Sequence, residues 1–159
     1  AMIKKLKALL SSRQGKNAET TADPATLKLA AAALLMEAAC MDGHADEREV
    51  ATVTALLAGH FGLEPDEASE LAEAGRAAVA ESVELYGFTR TIKDSFHHED
   101  RVRMIEMLWQ VAYADGILHD FEANLVRRIC GLIYVPDRES GEARKRVLEQ
   151  LDLNSADVS

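Results

Sequence analysis

Two copies of one short motif hold the residues of this 159-residue chain that are best suited to chemistry. Each copy has the form Ala-x-x-Asp-Gly-x-x-x-x-x-Glu, and the two copies lie 73 residues apart. The first copy consists of Ala39, Asp42, Gly43 and Glu49, and the second consists of Ala112, Asp115, Gly116 and Glu122. Repeated carboxylates are suited to binding a cation, and the repeat predicts an internal duplication.

The apolar pattern around each motif predicts that its two acids point inward. Asp42 lies four residues after an alanine and seven after a leucine, so it continues the apolar stripe of a helix, and Asp115 does the same. Glu49 and Glu122 each precede a valine by four residues on the following helix. We therefore expect all four carboxylates to lie on inward faces at helix ends.

A bound cation would explain the aspartates, which helix capping does not. Capping accounts for the glycines and for the glutamates, but an acid in the last turn of a helix meets the negative end of its dipole. The bends also contain a second tier of candidate ligands: His44, Asp46, His119 and Asp120. This oxygen-rich set favours a hard divalent ion such as Ca²⁺ or Mg²⁺. It is not an EF-hand, because Gly43 follows Asp42 directly and Val53 occupies the twelfth position.

Two other interpretations of the acidic motifs remain open. The acids can be structural helix caps without any ligand, or they can form a surface on which a basic segment of another protein docks. An enzyme is not indicated, because the sequence lacks a P-loop, a nucleophile elbow, a His-Glu-x-x-His motif and a dinucleotide-binding glycine fingerprint. The paired Glu-x-x-His sequences of di-iron bundles are also absent. We expect a non-enzymatic protein.

The elements that position these motifs are predicted to be helices throughout. Apolar residues recur at helical spacing and no segment shows sustained alternation, which indicates an all-α bundle of about seven helices. The duplicated unit is predicted to be a helix hairpin, at 24–62 and again at 98–135. The first helix is expected to be amphipathic and to end near Gly43, while Trp109 and Tyr113 are expected in the core.

Composition predicts one acidic domain with a basic leading segment. We place a basic segment and polar linker at 1–22, the helical domain at 23–153 and a tail at 154–159. The chain has 18 basic and 27 acidic residues, a net charge of −9, so we expect no nucleic-acid partner. We also do not expect the basic segment to bind a membrane, although another protein remains a possible partner.

Targeting signals are missing from the sequence, and this favours a cytoplasmic location. The richest apolar run, from Leu27 to Met41, is interrupted by charges and is shorter than the roughly 20 residues that span a bilayer. Cys40 and Cys130 show no metal-binding or disulfide spacing, so we expect reduced thiols.

The doubled motif in a helical chain of this size resembles the TerB-like family, which is named for tellurite resistance. The stretch from His98-Glu99-Asp100-Arg101 through Leu108–Gly116 to Glu122 is especially similar to bacterial members. The resemblance spans about 27–151. It implies a helical domain with an internal duplication, acidic ligands for a divalent metal, and a link to tellurite resistance or stress responses. A similar domain precedes the J-domain of some co-chaperones, where it is an interaction module.

Overall fold

The computed structural model describes residues 24–40, 47–81, 86–114 and 120–158, the last seven of these by backbone alone. These residues form seven α-helices, and no β-strand occurs among them, as predicted. The helices are α1 (Pro24–Ala39), α2 (Glu47–Phe61), α3 (Pro65–Glu81), α4 (Tyr86–Ser95), α5 (His98–Ala112), α6 (Asp120–Leu132) and α7 (Asp137–Val158). Helix α7 continues beyond the predicted end near Leu151. None of the described helices has the length and apolar composition needed to cross a bilayer.

Helix α1 occupies the centre of the bundle. Every residue from Leu29 to Met36 is buried, and the helix contacts α2, α3, α4 and α5. The predicted one-sided apolar stripe is therefore wrong for α1, which is buried all round. Its run of alanines, 30–33, allows several helices to approach it at once because a methyl side chain occupies little space. The core of the domain is thus built around an alanine-rich helix.

The closest approach to α1 is made by Gly75 of α3. A Cβ atom at this position would lie 2.7 Å from the backbone carbonyl carbon of Ala32 and 2.8 Å from its Cβ. Both residues are buried. Glycine is therefore required here by the separation of two backbones.

The third helix of each half is also part of the duplication. Helix α1 ends 73 residues before α5, and α2 begins 73 residues before α6. After α2 and α6 the spacing is 72, and at that spacing Ala68, Leu71 and Gly75 of α3 correspond to buried Ser140, Ala143 and Val147 of α7. The duplicated unit is therefore α1–α2–α3 and α5–α6–α7, joined by α4, and is one helix longer than predicted.

The change of spacing is visible where the middle helix of each half ends. The Leu63 amide donates to Ala58 O (2.9 Å) after α2, and the Val135 amide donates to Cys130 O (3.0 Å) after α6. These are the six-to-one hydrogen bonds of the Schellman motif. The left-handed residue within the motif is Gly62, with φ 64°, in the first half, and Tyr134, with φ 60°, in the second.

Tyr134 is the subject of our first prediction. A left-handed backbone costs a non-glycine residue about 1 kcal/mol, so Tyr134→Gly should be more stable than Tyr134→Ala by about that amount. The alanine variant is the matched reference, because both substitutions remove the exposed ring and its contact with Lys93, whose Nζ lies 5.2 Å from the ring centroid. Urea unfolding measures the difference. Equal stability of the two variants would contradict a strained backbone at this position.

Polar contacts fix α5 against the two helices that follow it. Arg101 Nη1 donates to Ile133 O (2.8 Å) at the end of α6, and Arg146 Nε of α7 donates to Glu106 Oε1 (2.7 Å). His98 Nε2 and Glu139 Oε2 are 2.6 Å apart at the start of α5. These contacts run along α5, and they hold the second half of the bundle in register.

Candidate metal centre

The two motif glutamates occupy equivalent buried positions. Glu49 is the third residue of α2 and Glu122 is the third residue of α6, and their exposed fractions are 6% and 4%. Val53 and Val126, one turn further on, are fully buried. The prediction that these two acids face inward is confirmed, because each lies on the same face as a core valine. Each glutamate also takes part in polar or electrostatic interactions there.

The other predicted ligands are placed as follows. Asp42, His44, Asp46, Asp115 and His119 lie outside the described residues, so their inward orientation stays a prediction. Asp120 is the first residue of α6 and is exposed, unlike Glu122 two residues later. Within the described part of the chain, no three His, Cys, Asp or Glu side chains are grouped closely enough to hold a metal ion.

Helix electrostatics favour a carboxylate at both glutamate positions. The first turn of a helix presents unpaired amides and the positive end of the dipole. Each first turn also has a second acid, Glu47 in α2 and Asp120 in α6. Both helices thus bring two carboxylates to a bend, one of which is buried. Carboxylate oxygens at such a bend are hard ligands, of the kind that Ca²⁺ and Mg²⁺ prefer.

An arginine lies close to the first bend. Burial raises the pKa of the Cys40 thiol, at the end of α1, and a hydrogen bond and the positive charge of Arg76 partly offset this rise. The negative charges of Glu37 and Glu49 raise the pKa further. The thiol therefore stays protonated at neutral pH and is a poor ligand for a soft metal. Cys40, Glu49 and Arg76 bring α1, α2 and α3 together here.

A second arginine lies close to the other bend. Arg144 Nε of α7 donates to the Tyr113 hydroxyl (2.8 Å), and its Cζ lies 5.2 Å from the centroid of the Trp109 ring. Trp109 Nε1 donates in turn to Ser140 Oγ (3.1 Å). Tyr113 is the repeat equivalent of Cys40, so in each half the residue that follows the first helix contacts an arginine of the third helix. This side chain is two residues from the motif aspartate in the sequence.

Sequence reasoning missed both arginines. Arg76 and Arg144 are separated by 68 residues, which differs from the 72 or 73 residues that separate equivalent positions. The only available signal was that each follows a motif hairpin on the next helix. The expectation for the thiols is consistent with the structure, in which both cysteines are free, with Cys130 buried and Cys40 half-buried.

Comparison with known proteins identifies the family. The sequence model of the family described as Tellurite resistance protein TerB matches residues 28–145, which is well over half of the chain. Comparisons with curated proteins and with solved structures gave no significant match. The matched region includes both motifs and extends from α1 into α7, where Arg144 lies. The chain therefore belongs to the TerB tellurite-resistance family.

Proposed function

We propose that this TerB domain is a cytoplasmic, non-enzymatic module that binds a divalent cation through Asp42, Glu49, Asp115 and Glu122, and that it acts in tellurite resistance or a stress response. The observation that supports it best is the matched burial of Glu49 and Glu122. Ionised carboxylates are costly to bury unless positive charge and hydrogen bonds compensate them. A chain that buries such a group twice, at equivalent positions, is suited to holding a cation there.

The nature of the ligands and the net charge define what the module would bind. Oxygen ligands select Ca²⁺ or Mg²⁺ over soft metals, and the protonated thiol of Cys40 adds no competing soft ligand. Tellurite is an anion, and a chain with a net charge of −9 is a poor direct receptor for it. A role in tellurite resistance would therefore be indirect, through the cation or through a partner protein.

Thermal unfolding of chelator-treated protein tests the proposal. Ca²⁺ or Mg²⁺ at 100 times its dissociation constant should stabilise the fold by about 2.7 kcal/mol, which raises Tm by roughly 5 to 10 °C. Mn²⁺ and Zn²⁺ complete the series. The rise should disappear in the Glu49→Gln/Glu122→Gln protein, whereas Glu149→Gln, an exposed position on α7, should retain it. Absence of a shift with all four ions would refute cation binding.

One observation favours a second function. Glu49 and Glu122 both occupy the third position of a helix, where a glutamate can close a capping box without any ligand. The acids would then be structural, and the domain would act as a protein interaction module. In that case the two-site glutamine protein would lose stability whether or not a cation is added, and it would capture the same proteins from lysate as wild type.

A further inference from the structure

A surface groove between α2 and α3 is separate from the buried acids. It has a volume of about 630 Å³, and its walls are mainly small apolar side chains of α2 with Pro65, Ser69 and Arg76 of α3. Thr54 belongs to this wall, and its hydroxyl already donates to Val50 O (3.0 Å) within the helix. Ala51 and Ala55 are exposed along it. The groove is therefore an apolar trough with little unsatisfied polarity on its α2 side.

The length and small side chains of the groove suit a short helix. The wall from Val50 to Ala58 spans about 12 Å at 1.5 Å per residue, and a helix over residues 2–10 would be about 13 Å long. In helical form, residues 2–10 are amphipathic. Their apolar residues, Met2, Ile3, Leu6, Leu9 and Leu10, would cover an arc of about 120°. Alanines in the wall permit close approach of a second helix.

Charge on the rim of the groove complements the same segment. Asp66, Glu70 and Glu73 form an exposed acidic row on α3, at spacings of four and three residues beside the groove residues of that helix. The polar side of residues 2–10 has Lys4, Lys5 and Lys7 and no acid. An acidic row opposite a basic helix favours one orientation and excludes acidic segments.

The connecting chain is long enough. Residues 11–23 link the segment to Pro24 and span at most about 43 Å when extended, with a typical end-to-end distance of about 20 Å. Helices α1 and α2 form a hairpin, so Pro24 lies toward the end of the groove that holds Ala58 and Pro65. The segment can therefore reach the groove of its own chain without strain.

We infer that residues 2–10 dock as an amphipathic helix in the α2–α3 groove of the same chain. The apolar stripe packs on the α2 wall, and the lysines face Asp66, Glu70 and Glu73. The docked helix covers the groove as far as Arg76, whose guanidinium contacts Cys40 beside the first acidic bend. The basic leading segment thus belongs to the folded domain and shields one side of the first motif.

Zero-length cross-linking of the full chain tests this docking. A water-soluble carbodiimide joins lysine amines to carboxylates that are in contact, and an equal mixture of ¹⁴N- and ¹⁵N-labelled chains shows whether both ends come from one molecule. Peptides linking Lys4, Lys5 or Lys7 to Asp66, Glu70 or Glu73 should dominate, with both halves carrying the same isotope. The products are identified by mass spectrometry.

Two variants with a matched control make the result decisive. Ala55→Arg fills the groove and repels the lysines, and Leu6→Asp/Leu9→Asp changes only the segment; each should abolish the cross-links to Asp66, Glu70 and Glu73. Gln150→Arg adds the same charge at an exposed position of α7 and should retain them. The docking is refuted if the cross-links scatter over all acidic surfaces or join different isotopes. It is also refuted if the segment binds phosphatidylglycerol vesicles while these cross-links are absent.

Discussion

Replacing Gly75 with alanine is expected to lower the free energy of unfolding by about 3 kcal/mol, although alanine is the better helix former. The added Cβ would lie 2.7 and 2.8 Å from the carbonyl carbon and oxygen of Ala32. A backbone cannot rotate away as a flexible side chain can. Helices α1 and α3 must therefore separate, and α1 also supports α2, α4 and α5.

Gly141 provides the matched control for this substitution. It lies on the exposed side of α7, and no atom would lie within 4 Å of an added Cβ. Gly141→Ala should therefore raise the free energy of unfolding by about 0.5 to 1 kcal/mol through helix propensity alone. Urea unfolding followed by circular dichroism measures both variants. A stability change of the same sign in the two variants would show that α1 and α3 do not approach as closely as described.

Trp109→Ala is expected to cost about 3 to 5 kcal/mol, the range for truncating a large buried aromatic residue. The indole is only 4% exposed, and its Nε1 donates to Ser140 Oγ. Truncation leaves that buried hydroxyl without this partner and removes the ring on which Arg144 packs. The contact between α5 and α7 beside the second bend would therefore loosen.

Trp109→Phe separates ring packing from hydrogen bonding. Phenylalanine retains most of the apolar contact and loses the indole donor, so we expect a smaller cost of about 1 to 3 kcal/mol. The unfolding transition must be followed by circular dichroism, because the chain contains one tryptophan and both variants remove it. A cost for the alanine variant below about 1 kcal/mol would mean that this side chain is not part of the core.

Helical periodicity was sufficient to predict the class of fold and the burial of the motif glutamates. The signal was strong because Glu49 and Glu122 stand on apolar stripes that continue for two turns, to core residues such as Val53 and Val126. A carboxylate in such a stripe is brought inside together with its neighbours. The core position of Trp109, one turn before Tyr113, was predicted for the same reason and is confirmed.

Features that depend on contacts between distant segments were not predictable in this way. The complete burial of α1 follows from how closely its partners approach, and alanines give little indication of which helix faces are covered. The third duplicated helix escaped notice because Gly75 in one half corresponds to Val147 in the other. The residue types differ and only the burial is shared. The contacts of Arg76 and Arg144 depend on the same tertiary packing.

Direct measurement of bound Ca²⁺ and Mg²⁺ tests the central claim that the repeated acidic motifs form a cation site. Equilibrium dialysis of chelator-treated wild type is compared with Asp42→Asn/Asp115→Asn and with Glu49→Gln/Glu122→Gln, with Glu149→Gln as the charge-matched control. We predict that wild type and Glu149→Gln bind at least one ion per chain and that both motif variants bind none. Equal binding by all four proteins, or no binding by wild type, would contradict the claim.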